Sequence, residues 1–346
     1  MFDFYVGTCD TQRTKGIYRF EVEPEREIVS IPKISSELHF ASYIVRSVKE
    51  FIYAVSEPKD STTGEIVAYR RGTMGTLLEI DRITTEFGTL CHLAINKAAT
   101  VLVAVSYDGG AIGMITLAKN GSFKAITDVV KYEGHGILPE QEQSHPHCAC
   151  FSPDQTRVII SDLGCDSLYG YRIDYNKDKF IPRNELTFNF PDGSGPRHLL
   201  FSPDGLTLYV LCELSDTIYV LRHRRYAQST IIGVTKLPVE PLTTSGAAAI
   251  KFDPTGKYLY VTSRRDNTIM YFEILPSGTL NFMDKYDCGG INPRDIAIEP
   301  STDILICANV DSNRLTFFKR DPNSGALNKM QTERTIGKPQ CLLVLD

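Results

Sequence analysis

The stretch FSPDQ at residues 151–155 returns as FSPDG at 201–205, FDPTG at 252–256 and IEPST at 298–302. Proline fixes φ at the corner of a type I turn, and aspartate or glycine completes such a turn. In all four copies the proline lies six residues before the middle of a short apolar run. The stretch therefore predicts a turn between two β-strands that is repeated along the chain.

Seven short apolar or β-branched runs of this kind extend over the whole sequence. They are centred on residues 5, 53, 103, 159, 209, 260 and 306, so successive centres are 46 to 56 residues apart. Several short strands in each repeat of about fifty residues are typical of β-propeller blades. We predict an all-β fold, a seven-bladed β-propeller with four antiparallel strands per blade, as a single domain over residues 1–346. We expect the run at 339–345 to pair into the N-terminal blade and close the ring.

Composition narrows the classes of partner. The chain has 346 residues, 42% hydrophobic and 23% charged, with a net charge of −5, which disfavours a nucleic-acid-binding surface. It contains no apolar run of the roughly 18 to 20 residues that span a bilayer. Nine cysteines without a CxxC pair, and the lack of a visible secretory leader, favour reduced thiols. We expect a cytoplasmic protein with neither a nucleic-acid nor a membrane partner.

Polar residues at equivalent places in the repeat indicate a site. The proline turns align His147, Arg197, Ala248, Arg294 and Gln340, and the strands that follow align Cys9, Glu57, Tyr107, Leu163, Glu213, Arg264 and Val310. Antiparallel neighbours should bring both sets to one mouth of the channel. Blades 4 to 6 contribute a titratable base, two fixed cations and a carboxylate: His147, Arg197, Glu213 and Arg264. This combination suits recognition of an anion together with proton transfer.

Other interpretations of these residues stay open. His145 and His147 could bind a metal or serve as loop hydrogen-bonding groups. Because only Cys148 and Cys150 offer further ligands nearby, we predict no metal. Arg197 could bind a turn carbonyl, and Glu213 and Arg264 could pair with each other. The sequence has no GxGxxG, Walker or GxSxG motif, so we expect no cofactor.

The sequence also resembles a known family in several segments. These are SHPH at 144–147, SDLGCD at 161–166, GPRH at 195–198, YVGT at 5–8, GIY at 16–18 and ANVDS at 308–312. They resemble the seven-bladed β-propeller lactonases, which include propeller-type 6-phosphogluconolactonases and fungal carboxy-cis,cis-muconate lactonising enzymes. The resemblance implies metal-independent hydrolysis of a sugar-acid lactone, first of all 6-phosphogluconolactone to 6-phosphogluconate in the pentose phosphate pathway.

Carried over residue by residue, the resemblance implies four catalytic residues: His147 (less directly His145), Arg197, Glu213 and Arg264. We further predict that the substrate, a small anionic lactone or carboxylate, is bound by His145, His198, Glu57 and Arg294. The sequence departs from the family pattern at Cys212, Ser263, Arg265 and Ala249.

Two other functions fit the same residues. One is a muconate cycloisomerase, in which the arginines bind carboxylates and Glu213 or His147 supplies the proton. The other is a non-catalytic propeller that binds a partner over its face. Turnover of a phosphogluconolactone or of a carboxymuconate would separate the three.

Overall fold

A computed structural model describes residues 2–10, 15–58, 62–224, 227–239 and 246–345. Within these ranges the chain is built from β-strands, and its helical elements are 3₁₀ turns at Pro24–Arg26, Thr73–Gly75, Pro139–Gln141 and Asn184–Leu186. None of the helical segments described is long and apolar enough to cross a membrane.

The strands form seven sheets in the described part of the chain, and we call each sheet a blade. Blade 1 begins with β1 (Phe2–Cys9), β2 (Lys15–Glu23), β3 (Ile28–Val29) and β4 (Lys33–Ser36), and blade 2 contains β5 (Ile44–Arg46), β6 (Phe51–Ser56), β7 (Gly64–Arg71) and β8 (Leu77–Thr85). Blade 3 contains β9 (His92–Ile95), β10 (Val101–Ser106), β11 (Ala111–Leu117) and β12 (Phe123–Lys131). Blade 4 contains β13 (Pro146–Phe151), β14 (Arg157–Asp162), β15 (Ser167–Asp174), β16 (Lys179–Pro182) and β17 (Phe188–Asn189). Blade 5 contains β18 (Pro196–Phe201), β19 (Thr207–Cys212), β20 (Thr217–Arg222) and β21 (Thr230–Lys236); blade 6 contains β22 (Ala247–Phe252), β23 (Tyr258–Ser263), β24 (Thr268–Ile274) and β25 (Leu280–Asp287); blade 7 contains β26 (Pro293–Glu299), β27 (Ile304–Asn309), β28 (Arg314–Arg320) and β29 (Leu327–Thr335); β30 (Pro339–Leu345) ends the series.

Each blade is an antiparallel meander, as predicted. The last strand, β30, pairs with β1, so the order in blade 1 is β3-β2-β1-β30 and the predicted pairing of the two chain ends is confirmed. In blades 1 and 4 the outermost position is divided. There β3 and β4 both pair with β2, and β16 and β17 both pair with β15.

The repeated proline turn has the geometry that its sequence indicates. In blade 4 the Gln155 N–H donates to the Ser152 carbonyl at 2.8 Å, and Gly205 N–H makes the same bond to Ser202 in blade 5. Gln155 has φ of +58° and Gly205 of +72°. Because this turn position lies in the left-handed region, glycine fits it with least strain, whereas Gln155 adopts it with a side chain.

The strands pack into two compact units. One comprises Met1–Ser42, Thr73–Thr76 and Leu237–Asp346 and carries blades 1, 6 and 7; the other comprises Tyr43–Gly72 and Leu77–Lys236 and carries blades 2 to 5. In each unit the core lies between neighbouring blades. Phe20 stacks on Phe4 and meets Phe317 edge-on in the first unit, and Val103 and Ile160 share an apolar cluster in the second. The single domain over 1–346 stays a prediction.

Candidate active site

The innermost strands carry β-bulges at the positions that the proline turns align. In blade 4, Pro146 pairs with Asp162 and Cys148 with Ser161, so His147 is the extra residue. Register shifts of the same kind leave Arg197 extra in blade 5, Arg294 in blade 7 and Gln340 in β30, and one falls between Ala247 and Ile250 in blade 6. A bulge turns a side chain out of the regular alternation. The residues that the proline turns align are therefore the bulge residues, whose side chains leave the regular alternation of the strand.

Backbone hydrogen bonds give the second set of equivalent positions. In four blades, the backbone N–H of the residue just after the second strand donates to a backbone carbonyl on the first strand's side. That carbonyl belongs to the residue two places before the bulge. The bonds are Leu163 to His145 (2.9 Å), Glu213 to Gly195 (2.7 Å), Arg264 to Gly246 (3.0 Å) and Val310 to Asn292 (3.0 Å). Within a blade, the two sets of predicted residues therefore lie at the same end.

Arg197 is held between two side chains of its own blade. It is buried, with 2% of its surface exposed. Its Nε lies 2.8 Å from Glu213 Oε2, and its Nη1 lies 2.9 Å from His198 Nε2. The same Nη1 lies 3.4 Å from His198 Nδ1, so it approaches both nitrogens of the ring. Glu213 and His198 thus contact two different nitrogens of the guanidinium.

His147 lies next to this group. Its ring is 7% exposed and meets the His198 ring at 5.6 Å and the Tyr107 ring at 5.7 Å, both edge-on. Burial, together with the Glu213 and Glu142 carboxylates, raises the pKa of the Tyr107 phenol. The second unit therefore brings the predicted base, the predicted arginine and the predicted carboxylate into one cluster with an aromatic wall.

His145 has a different environment from His147. Its Nδ1 lies 3.1 Å from the Tyr107 carbonyl and its Nε2 lies 3.3 Å from Glu142 Oε1, while its ring stacks on Tyr107 at 4.1 Å. Both neighbouring atoms are acceptors. Both ring nitrogens of His145 therefore already face a neighbouring group.

A second layer under the cluster was not predicted from the sequence. His92 Nε2 lies 3.5 Å from Cys148 Sγ, and His92 Nδ1 accepts the Ala149 N–H at 3.4 Å. The Tyr43 ring packs on His92 at 4.2 Å. His92 pairs with Val105 as His198 pairs with Leu211, so alignment of the innermost strands would have found it.

The remaining predicted residues are placed as follows. Glu57 directly follows β6 and is partly buried in the second unit. In the first unit, Arg264 has its Nε 3.4 Å from the Gly246 carbonyl, and Arg294 is the bulge residue of β26. That Arg264 and Arg294 join His147 at one mouth stays a prediction.

No metal ligand set stands out in the part of the chain that the structure describes. Within residues 2–10, 15–58, 62–224, 227–239 and 246–345, no group of three or more His, Cys, Asp or Glu side chains is arranged to hold a metal ion. All nine cysteines lie in these ranges and are free thiols.

Comparison with known proteins identifies the family of the whole chain. Residues 3–344 match the family described as "Lactonase, 7-bladed beta-propeller". The chain is 28% identical over 345 residues to the 6-phosphogluconolactonase of Bacillus subtilis (strain 168). The alignment covers 99% of this chain and 97% of that protein. Two solved structures are similar over 100% of this chain and 99% of their own: the periplasmic gluconolactonase PpgL of Pseudomonas aeruginosa, with a TM-score of 0.93 and 25% identity, and a protein from Lactobacillus plantarum, with 0.92 and 27%. The chain belongs to the seven-bladed β-propeller lactonase family.

Proposed function

We propose that this protein hydrolyses 6-phosphogluconolactone to 6-phosphogluconate without a metal or cofactor. The observation that carries the proposal is the buried Arg197 guanidinium, which is held by Glu213 and His198 beside the His147 ring. A fixed cation next to a histidine is the arrangement that ester hydrolysis through an oxyanion requires. The activities named for the Bacillus and Pseudomonas relatives support lactone hydrolysis.

In the proposed reaction, His147 accepts a proton from a water molecule as its oxygen attacks the lactone carbonyl. The carbonyl oxygen becomes negatively charged, and Arg197 stabilises that charge in a site where water is scarce. The carbonyl then re-forms, the ring C–O bond breaks, and His147 returns the proton to the leaving alkoxide. One water is consumed and one hydroxy acid is produced. Arg264 is proposed to bind the phosphate.

We assign the base to His147 rather than His145. His145 has an acceptor at each ring nitrogen and packs face to face on Tyr107, so its ring is already engaged by neighbouring groups. The His147 ring meets the Tyr107 and His198 rings edge-on, and His198 in turn contacts Arg197, so His147 lies beside the group proposed to stabilise the oxyanion.

Glu213 is proposed to orient Arg197. Its carboxylate lies 2.8 Å from Arg197 Nε, and this ion pair supports the proposal because it restricts where the guanidinium can lie. At Cys212 the sequence departs from the family pattern, but the side chain of Cys212 does not lie on the side of Glu213. Its thiol is buried in the apolar cluster with Leu199 and Leu208. It therefore leaves the polar face of the site unchanged.

The test is lactone hydrolysis by the purified protein, followed as acid release and corrected for the spontaneous reaction. We expect turnover of 6-phosphogluconolactone and none of carboxymuconate. Arg197→Ala should lower kcat by about 10²- to 10³-fold if the guanidinium stabilises the oxyanion. The matched control is Arg157→Ala, which also removes a buried arginine. Arg157 is the first residue of β14, at the end of that strand away from the site, so this variant should retain kcat. Turnover of carboxymuconate alone would replace the proposal with the cycloisomerase, and turnover of neither would favour a binding protein.

We also propose a cytoplasmic location. Nine free thiols in one chain support it, because such thiols persist in a reducing compartment.

A further inference from the structure

We propose that the turn at residues 161–166, which we call the aspartate turn, sets the position of His147 relative to Arg197. The turn joins β14 to β15, and it accepts hydrogen bonds from the loops before β13 and β18. The inference rests on the proposed function, in which these two side chains act together on one carbonyl.

Asp162 holds the loop that leads to His147. Its Oδ2 accepts the Ser144 hydroxyl at 2.6 Å, and its Oδ1 accepts the N–H of His145 at 2.8 Å and of Cys165 at 3.1 Å. The carboxylate is fully buried. The two residues just before Pro146 and His147 are therefore fixed to one side chain.

Asp166 holds the loop that leads to Arg197. Its Oδ1 accepts the Gly195 N–H at 2.7 Å, and its Oδ2 accepts the Gly193 N–H at 2.8 Å. At the start of the turn, the Ser161 hydroxyl donates to the Arg197 carbonyl at 2.7 Å. Both ends of the aspartate turn thus contact the segment that carries the guanidinium.

The turn fits closely against the first loop. A Cβ atom on Gly164 would lie 1.9 Å from the Gln143 carbonyl oxygen, so only glycine fits there without moving the backbone. Close packing and buried charge-assisted hydrogen bonds leave the two loops little freedom to move apart.

Blade formation alone does not require the Asp162 carboxylate. The residue that ends the second strand is Cys212 in blade 5, Ser263 in blade 6 and Asn309 in blade 7. The Asp166 position does recur as a loop anchor, since Asn313 Oδ1 accepts one N–H, that of Lys338. Asp166 differs because it accepts two, one on each oxygen.

These contacts predict opposite results for two conservative variants. In Asp162→Asn the amide oxygen can keep the His145 and Cys165 bonds, and its NH₂ can donate to the Ser144 hydroxyl, which also accepts. In Asp166 each carboxylate oxygen accepts one backbone N–H, so in Asp166→Asn the NH₂ group must take the place of one of these oxygens. It then faces the N–H of Gly193 or of Gly195, and two donors oppose each other where a hydrogen bond was. We expect near-wild-type kcat for Asp162→Asn. We expect a fall of about 10- to 100-fold for Asp162→Ala and Asp166→Asn, because a misplacement of about 1 Å costs rates of this order.

The experiment measures kcat and KM of these variants below their melting temperatures. Asn313→Ala is the matched control, because it removes the corresponding loop bond in blade 7 and should lower the melting temperature while kcat is retained. If Asp162→Ala and Asp166→Asn lower only the melting temperature, the aspartate turn is structural and the inference is wrong.

A second measurement separates this inference from the proposed function. The imidazole resonances of His147 and His198 in histidine-labelled protein report the two loops without any substrate. We expect Asp162→Ala to shift the His147 resonances and Asp166→Asn to shift those of His198, which contacts Arg197. Asp162→Asn should restore the wild-type spectrum. If the wild-type protein hydrolyses no lactone but these shifts occur, the proposed reaction fails and the positioning stands; unmoved resonances contradict the positioning.

Discussion

The ion pair between Arg197 and Glu213 offers a quantitative test of the site. Only 3% and 12% of the two side chains are exposed, and Nε and Oε2 are 2.8 Å apart. At that distance two unit charges attract by about 6 kcal/mol at an effective dielectric constant of about 20. Desolvation offsets much of this attraction, so the intact pair adds little net stability. Removing one partner, however, leaves the other charge buried and should cost about 3–5 kcal/mol.

The assay is a double-mutant cycle with Glu213→Leu, Arg197→Met and the combined variant, unfolded in urea and followed by far-ultraviolet circular dichroism. Each single variant should lose about 3–5 kcal/mol of unfolding free energy, and the double variant should lie within about 1–2 kcal/mol of wild type. Arg197→Met and the double variant should also lower kcat by about 10²- to 10³-fold, as Arg197→Ala should. Single variants that lose less than about 1 kcal/mol, the range of exposed pairs, would refute the claim that the pair is desolvated.

Three further predictions concern the metal, the pH dependence and the ring closure. Exhaustive treatment with EDTA should leave lactone hydrolysis unchanged, because no step of the proposed reaction uses a metal; lost activity that Zn²⁺ or Ca²⁺ restores would contradict this. Burial raises the pKa of the Asp162 carboxyl above its ordinary 3.8, so the folded state holds this proton more tightly than the unfolded state does. The unfolding free energy of wild type relative to Asp162→Asn should therefore fall as pH rises from 3.8 through the folded pKa and then level off; a rise over this window would reverse the sign. Removal of residues 339–346 deletes β30 and should abolish cooperative thermal unfolding, because β1 then becomes an unpaired edge in blade 1; a truncated protein that melts like wild type would contradict this.

The sequence predicts the blade repeat well because each blade uses the same local signals. Proline at a turn corner and short alternating apolar runs are short-range features, so they specify β13–β14 and β18–β19 with no knowledge of the rest of the chain. The same alignment identified the bulge positions as equivalent, since His147 and Arg197 each lie six residues before the proline of the turn that follows. The closing role of β30 followed from counting strands in the first repeat.

The partners of the site residues were harder to predict. Sequence reasoning left open a pairing of Glu213 with Arg264, and it did not predict the ion pair that Glu213 forms with Arg197 within its own blade. The reason is the bulge, which turns Arg197 toward the end of β19; no residue pattern records the direction of that turn. The contacts of Asp162 and Asp166 likewise depend on how two loops pack around one turn. The division of the outermost strand in blades 1 and 4 had no visible signal in the sequence.

The central claim is that His147 and Arg197 act on one lactone carbonyl while Arg264 binds the anionic end of the substrate. A crystal structure of the protein with bound 6-phosphogluconate tests it most directly. We predict a carboxylate oxygen of the product within hydrogen-bonding distance of Arg197, His147 next to the same carboxyl group, and the phosphate on Arg264. Product bound elsewhere, or bound beside His147 without contact to Arg197, would contradict the account.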